Sequence, residues 1–243
     1  MMLQPAWDNA RQRLGATRQI LGGRDYRLLF AGQAVSQFGD WMNRVALLVI
    51  AYRVTGQGLT VALLLLSQLL PRVIITPFGG LLADRYPKRR LLLLTDLLRA
   101  LLAISFVFVD SARDLWWAAA VVLLMHSMAA VFNPARGAAL PMLVPREGLA
   151  LANALNDMSG QAAFFLGPAL GGLLVAAWGV EAVFALNAAT FLFSSLLIWL
   201  MRLPEPPRQG IVRRAVLHDL REGWAAVAGV PLLRFLCGCL FLQ

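Results

Sequence analysis

Charge is what this sequence has least of. Asp, Glu, Lys and Arg together make up 14% of its 243 residues, against about 25% in an ordinary soluble domain. Hydrophobic residues reach 59% and mean hydropathy is +0.68. Most of the chain is therefore expected to lie in lipid. Lysine is nearly missing: Lys88 is the single one, and the other cations behind a net charge of +9 are arginines. In a soluble protein that excess would point to nucleic acid; here the charge sits between apolar runs, and no nucleic-acid partner is expected. Cysteine is confined to Cys237 and Cys239. Only two positions apart, they would form a strained disulfide and read as small apolar residues of a membrane segment. Nucleotide-binding glycine loops, nucleophile elbows and zinc-ligand spacings are also missing. The chain is expected not to be an enzyme, to use no cofactor and to hold no metal.

Long apolar runs are what is present. A membrane-spanning helix needs about 20 mostly apolar residues, and six such stretches occur: Leu28–Tyr52, Leu59–Ala83, Leu91–Val109, Leu115–Phe132, Leu151–Trp178 and Ala182–Leu203. Barrel strands would alternate in polarity, and runs such as Leu91–Leu94 do not. The expected fold class is all-α, a polytopic membrane bundle of six transmembrane helices plus the start of a seventh. The chain divides into an amino-terminal segment (1–27), a six-helix bundle (28–203), a connector (204–229) and a cut-short seventh span (230–243). The connector has the makings of an amphipathic helix around Val212–Val227. The apolar run that stops at Gln243 reads as a chain lacking its carboxy-terminal half. The polar, basic first 27 residues do not have the pattern of a cleaved signal peptide.

The cations sort by side. Arg11, Arg13, Arg18, Arg24 and Arg27 precede the first span. Arg85, Lys88, Arg89 and Arg90 follow the second, Arg136 and Arg146 the fourth, and Arg202, Arg208, Arg213, Arg214 and Arg221 the sixth. The opposite loops hold Arg53 and Arg113. The positive-inside rule places the amino terminus and the basic loops in the cytoplasm, and the protein in a bacterial inner membrane.

Two motifs stand out. Between spans two and three runs Gly80-Leu-Leu-Ala-Asp84-Arg85-Tyr-Pro-Lys88-Arg89-Arg90. Gly79 and Gly80 permit close helix contact, Asp84 suits a helix end with positive dipole, and the basic cluster suits exchange of partners between two conformations. The fifth span contains Gly167-Pro168-Ala-Leu-Gly171-Gly172, in which Gly167 and Gly171 make a small-residue face and Pro168 removes a backbone donor. The loop resembles the signature Gly-x-Leu-Ala-Asp-Arg-x-Gly-Arg-Lys of the major facilitator superfamily, with Pro87 where that family usually has glycine. The span-five motif, with Phe132-Asn-Pro-Ala-Arg136, Asn153-Ala-Leu-Asn156 and Asn187, is similar to the drug:proton antiporter branch, which includes macrolide-efflux and enterobactin-exporter-like proteins. The resemblance runs from about Tyr26 to the end. It implies twelve spans in two six-helix halves around a central cavity, working by alternating access.

Polar groups inside the spans are the candidates for mechanism, because charge in hydrocarbon usually faces protein or water. In span one Gln33, Gln37, Asp40 and Arg44 form one helical stripe, with Ser36 and Asn43 beside it. Two readings stay open: a cavity lining in which Asp40 takes up a proton and Arg44 tunes it, or an internal Asp40–Arg44 pair. His126 in span four either faces Asp40 across a cavity or is a structural histidine. Arg72 in span two is a candidate substrate contact or partner of an acid, Asp96 and Arg99 a structural pair, and Asp157 either part of the cytoplasmic gate or a hydrogen-bond partner of Asn153. The expected function is proton-coupled efflux of a small amphipathic molecule such as a drug, macrolide or siderophore, with small-molecule substrate, protons and bilayer as partners. A non-transporting scaffold or receptor on the same fold, and a lysophospholipid transporter, are the alternatives. A tag inserted in the 204–214 segment is expected to be accessible from the cytoplasm only, as protease or impermeant-label protection in right-side-out vesicles would show.

Overall fold

The computed structural model describes residues 22–68, 71 and 75–204. Arg72, the segment before residue 22, and the connector and seventh apolar stretch from residue 205 onward lie outside the described residues. Among the described residues all regular elements are helices: α1 (Arg24–Thr55), α2 (Gly58–Ser67), α3 (Thr76–Arg85), α4 (Lys88–Ser105), α5 (Leu115–Leu143) and α6 (Leu149–Leu200). Short 3-10 turns at Phe106–Phe108, Ala112–Asp114 and Arg146–Gly148 join them.

Local chemistry sets the breaks. Gly56 ends α1 at φ 64°, donating its N–H to the Tyr52 carbonyl at 2.7 Å, a left-handed cap that suits glycine. Ser111 and Asp114 form a capping box just ahead of α5. Gly179, at φ 86° and ψ 171°, divides α6 into limbs 149–178 and 180–200, because a side chain at that backbone conformation would be strained. The stretches 88–108, 112–143 and 146–200 are long and apolar enough to cross a membrane. Their outward faces expose Leu94, Leu101, Phe165, Leu173 and Trp178, as suits helices solvated by hydrocarbon.

The expected second span is described as two helices, α2 and α3, and the largest shift of a helix end is in α5. The fourth apolar run was expected to end at Phe132, yet α5 continues to Leu143 with Pro134 and Pro141 inside it. An interior proline removes a helix hydrogen bond. Packing overrides that cost: Ala135 and Ala139 are fully buried in a cluster with Leu29, Leu92, Phe132 and Ile198. The extra turns bring Asn133 and Arg136 into the helix.

Helix α1 is gripped by both limbs of α6. On one side an ideal Cβ at Gly39 would lie 2.3 Å from Thr190 Oγ1 and 2.5 Å from Asn187 Oδ1, and one at Gly32 would lie 3.1 Å from Ser194 Cα. On the other, a Cβ at Gly167 would lie 2.5 Å from Trp41 Cβ, and one at Gly171 would lie 2.9 Å from Met42 Cα. Gly79 brings α3 onto α5, where an added Cβ would meet the Ala130 carbonyl oxygen at 2.1 Å. The other motif glycines behave differently. Nothing lies within 4 Å of a Cβ at Gly80 or Gly172, so within the described residues only Gly79, Gly167 and Gly171 carry the close approaches expected of these motifs.

A second apolar cluster, away from the basic loop, joins Met42, Leu47, Phe106, Met125, Phe184 and Phe191. At the basic end, polar bonds tie the helix termini. Arg89 of the loop motif donates to the carbonyls of Ile198, at 3.3 Å, and Trp199, satisfying the end of α6 and complementing its dipole. Arg202 N–H donates to Asp25 at 3.0 Å, and Tyr26 donates to the Ala152 carbonyl at 3.3 Å. Asp84 is exposed and makes no hydrogen bond or ion pair among the described residues.

These contacts predict opposite outcomes at neighbouring glycines. Gly171→Val should destabilise the bundle by about 1–3 kcal/mol through overpacking against Met42, whereas Gly172→Val should change stability by less than about 0.5 kcal/mol. Thermal unfolding of the purified protein in detergent, followed by intrinsic fluorescence, distinguishes them; equal midpoints would contradict the packing described above.

Candidate functional site: a charged cavity beside α1

The polar stripe of α1 faces inward, away from the apolar belt. Gln33, Ser36 and Asn43 are buried, while Gln37, Asp40 and Arg44 are partly buried. The helix period puts residues three and four apart on one face, and the grip of both α6 limbs fixes which way that face turns.

The structure gives Asp40 a different partner from Arg44. Arg99, reaching over from α4, donates to Asp40 Oδ2 at 2.7 Å. Arg44 turns aside: its guanidinium donates to Gln68 Oε1 at 2.9 Å and stacks over Trp41, 4.2 Å from the ring centroid. Cation–π contact and a neutral amide thus occupy the arginine that helical spacing offered to Asp40. Asp96, expected to pair with Arg99, is the more distant of that arginine's two carboxylates at 3.6 Å. The Arg99 guanidinium also lies 4.1 Å from the centroid of the Phe191 ring.

A cavity of about 200 Å³ opens on this cluster, lined by Asp40, Trp41, Arg44, Gln68, Arg99 and His126 among others. Two further cavities share its walls. One of about 630 Å³ is bounded by Arg44, Gln68, Thr76, His126 and Asn133. Another, about 450 Å³, is bounded by Gln37, Asp40, Asn133, Arg136, Asn156 and Asp157. His126 and Asp40 therefore line one space. The histidine accepts a structural tie as well: its Nδ1–H donates to the Val122 carbonyl at 2.9 Å, one turn back on α5, which leaves Nε2 for other partners. Arg136 donates to Asn156 at 2.9 Å, joining α5 to the first α6 limb beside Asp157.

Several of these residues had weak sequence signals. Arg99 pointed to Asp96 because they are three apart on one helix. Gln68 carried no motif, and Asn133 stood out only as part of the Phe132-Asn-Pro-Ala-Arg136 run. The glycine and loop motifs lie apart from the cavity: Gly167 and Gly171 pack against α1 behind it, and Gly80, Asp84, Arg85, Lys88 and Arg89 sit at the basic end. Chemically, the cavity offers an ion pair with one side open to water. Its carboxylate keeps 40% of its side-chain surface exposed, against 9% for Arg99. Such a pair can be broken and remade by a proton or a polar ligand.

Comparison with known proteins agrees with this architecture. Residues 29–243 match the Major Facilitator Superfamily. The chain is 30% identical over 214 residues to the uncharacterized MFS-type transporter YfiS of Bacillus subtilis, covering 84% of this chain and 49% of that protein. It is 26% identical over 202 residues to macrolide efflux protein A of Streptococcus pyogenes, covering 82% of this chain and 50% of that one. It is 28% identical over 222 residues to the multidrug efflux pump Tap of Mycolicibacterium fortuitum, with 86% and 53% covered. The chain thus spans about half the length of the curated relatives it matches. The long apolar helices and these relatives make it a multi-pass membrane protein of a transporter family, not of an enzyme family. With the match extending over most of its length, the chain belongs to the Major Facilitator Superfamily.

Proposed function

We propose that this chain is the six-span amino-terminal half of a secondary transporter, held in the inner membrane with its amino terminus in the cytoplasm. The whole protein exports a small amphipathic molecule such as a drug, macrolide or siderophore in exchange for protons. The observation that carries this reading is the Asp40–Arg99 ion pair at 2.7 Å, with its carboxylate half-exposed to a cavity that Arg44 and His126 also line. A charged pair inside a membrane bundle is costly and usually marks a substrate or ion pathway. Macrolide efflux protein A and the multidrug efflux pump Tap, by their names, are efflux proteins, which supports export over uptake.

The coupling follows from electrostatics. When Asp40 is ionised, it holds Arg99 and ties α1 to α4. Substrate entry weakens that tie, so the two conformations of the transporter differ in which cavity groups are paired. The glycine contacts between α1 and α6 keep these helices moving as one body, while the loop motif at the basic end, with Asp84 exposed and Arg89 capping α6, acts as the conformational latch. Alternating access then needs only the rocking of one helix bundle against another around the fixed site.

The test is transport by the complete protein in proteoliposomes, with erythromycin as the probe. An imposed pH gradient should accelerate erythromycin flux, and Asp40→Asn should cut the gradient-dependent part by at least about tenfold, equivalent to about 1.4 kcal/mol in the transport barrier. Flux that ignores the gradient, and is unchanged by Asp40→Asn, would remove the coupling.

A further inference from the structure

Resting on the proton-coupled reading above, we infer that the transported proton is held by Asp96, and that Arg99 exchanges between Asp40 and Asp96 as the proton leaves and arrives. Asp96 lies on α4 with its side chain 0% exposed; no donor stands in full hydrogen-bonding geometry to either carboxylate oxygen, the Ser194 hydroxyl and Arg99 only approaching it. Buried carboxylates are ordinarily paired and hydrogen-bonded, since an uncompensated charge in low dielectric is expensive. Here the nearest cation is Arg99, whose NH1 stands 3.6 Å from Asp96 Oδ1 while its NH2 is committed to Asp40 at 2.7 Å. One guanidinium thus serves two carboxylates, and the one it serves less well is the one without water. A proton is the partner that Asp96 lacks.

The surroundings leave the proton few other places. From α1, Asp40 is bound to Arg99, and Arg44 is engaged by Gln68 and Trp41. From α5, His126 commits Nδ1–H to the Val122 carbonyl. The second α6 limb brings Phe191 under the guanidinium and the hydroxyl of Ser194 near the Asp96 carboxyl, neither of them charged. Arg99 Nε has no hydrogen-bond partner, so its side chain is not locked. The Phe191 face lets the guanidinium slide in its own plane, and Asp96 is three residues back on the same helix face.

The step balances in protons and charge. When the rocking of the bundles opens a path from the cavity, a hydronium ion gives its proton to the Asp96 carboxylate, leaving water and a neutral acid, while Arg99 stays on Asp40. When Asp40 is drawn away by substrate or by the rocking of the bundles, Arg99 closes the 3.6 Å gap to Asp96. The acid's O–H bond breaks, the proton passes to water on the other side, and the guanidinium takes its place.

pH-difference infrared spectroscopy of the complete protein in lipid, without substrate or gradient, tests this. The wild type should show the C=O stretch of a protonated carboxyl. Asp96→Glu should move that band, Asp40→Glu should leave it in place, and Asp40→Asn should remove it because the freed Arg99 then closes on Asp96. A band that moves with Asp40→Glu but not with Asp96→Glu would put the proton on Asp40 and overturn the assignment while leaving proton coupling intact. Absence of any protonated-carboxyl band in the wild type overturns it too, as does a band that survives Asp40→Asn. Because an unmoved band in Asp40→Glu already excludes Asp40 and the wild-type and Asp40→Asn spectra test the rest, failure of Asp96→Glu to fold leaves the test in force. Failure of coupling itself is read separately, as gradient-independent erythromycin flux.

Discussion

Helix α1 lies so close to both limbs of α6 that even a methyl group would crowd the neighbouring helix at the points of contact, and the rest of the bundle is arranged around that fact. Gly32 and Gly39 meet Ser194, Thr190 and Asn187 on one side, and Gly167 and Gly171 meet Trp41 and Met42 on the other. In a membrane there is little hydrophobic force between helices, so close packing of small residues does the work of association. Clamped on two sides, α1 has no freedom to rotate. From its polar stripe Asp40 then meets Arg99 of α4, Arg44 meets Gln68 at the end of α2, and both share a cavity with His126 of α5.

That orientation creates an electrostatic problem whose solution is the site. Asp40, Arg44, Asp96 and Arg99 all lie within apolar helices, where an unpaired charge is strongly disfavoured. The bundle resolves this unevenly. Arg44 is absorbed by an aromatic face and an amide, Asp40 takes the strong bond to Arg99, and Asp96 is left with the weaker one. A fully satisfied network would be rigid; this one has an unequal division of one cation between two anions, next to a water-accessible cavity. The same packing that excludes water from Asp96 keeps Asp40 open, which is why two aspartates near one arginine come to differ.

At the basic end a different logic applies. Arg89 satisfies the terminal carbonyls of α6, and Asp25 receives the Arg202 backbone N–H. These bonds join the loop motif, the start of α1 and the end of α6 in one hydrogen-bonded layer, connected to the cavity through α4, which starts at Lys88 and carries both Asp96 and Arg99.

Much of this was legible in the residues. The apolar runs, the clustering of arginine, the inward stripe of α1 and the importance of Gly167 and Gly171 depend on local spacing and composition, which a linear chain displays directly. Other features were decided by tertiary structure alone. Whether Gly79 or Gly80 touches a neighbour, whether α5 survives Pro134, and whether Asp40 bonds the arginine four residues along its own helix or one 59 residues away all turn on how helices dock. Sequence spacing specifies which side chains share a helix face; it says nothing of which foreign face lies opposite. Charge partners in a low-dielectric bundle are chosen across that gap, and the choice exists only once the helices are packed.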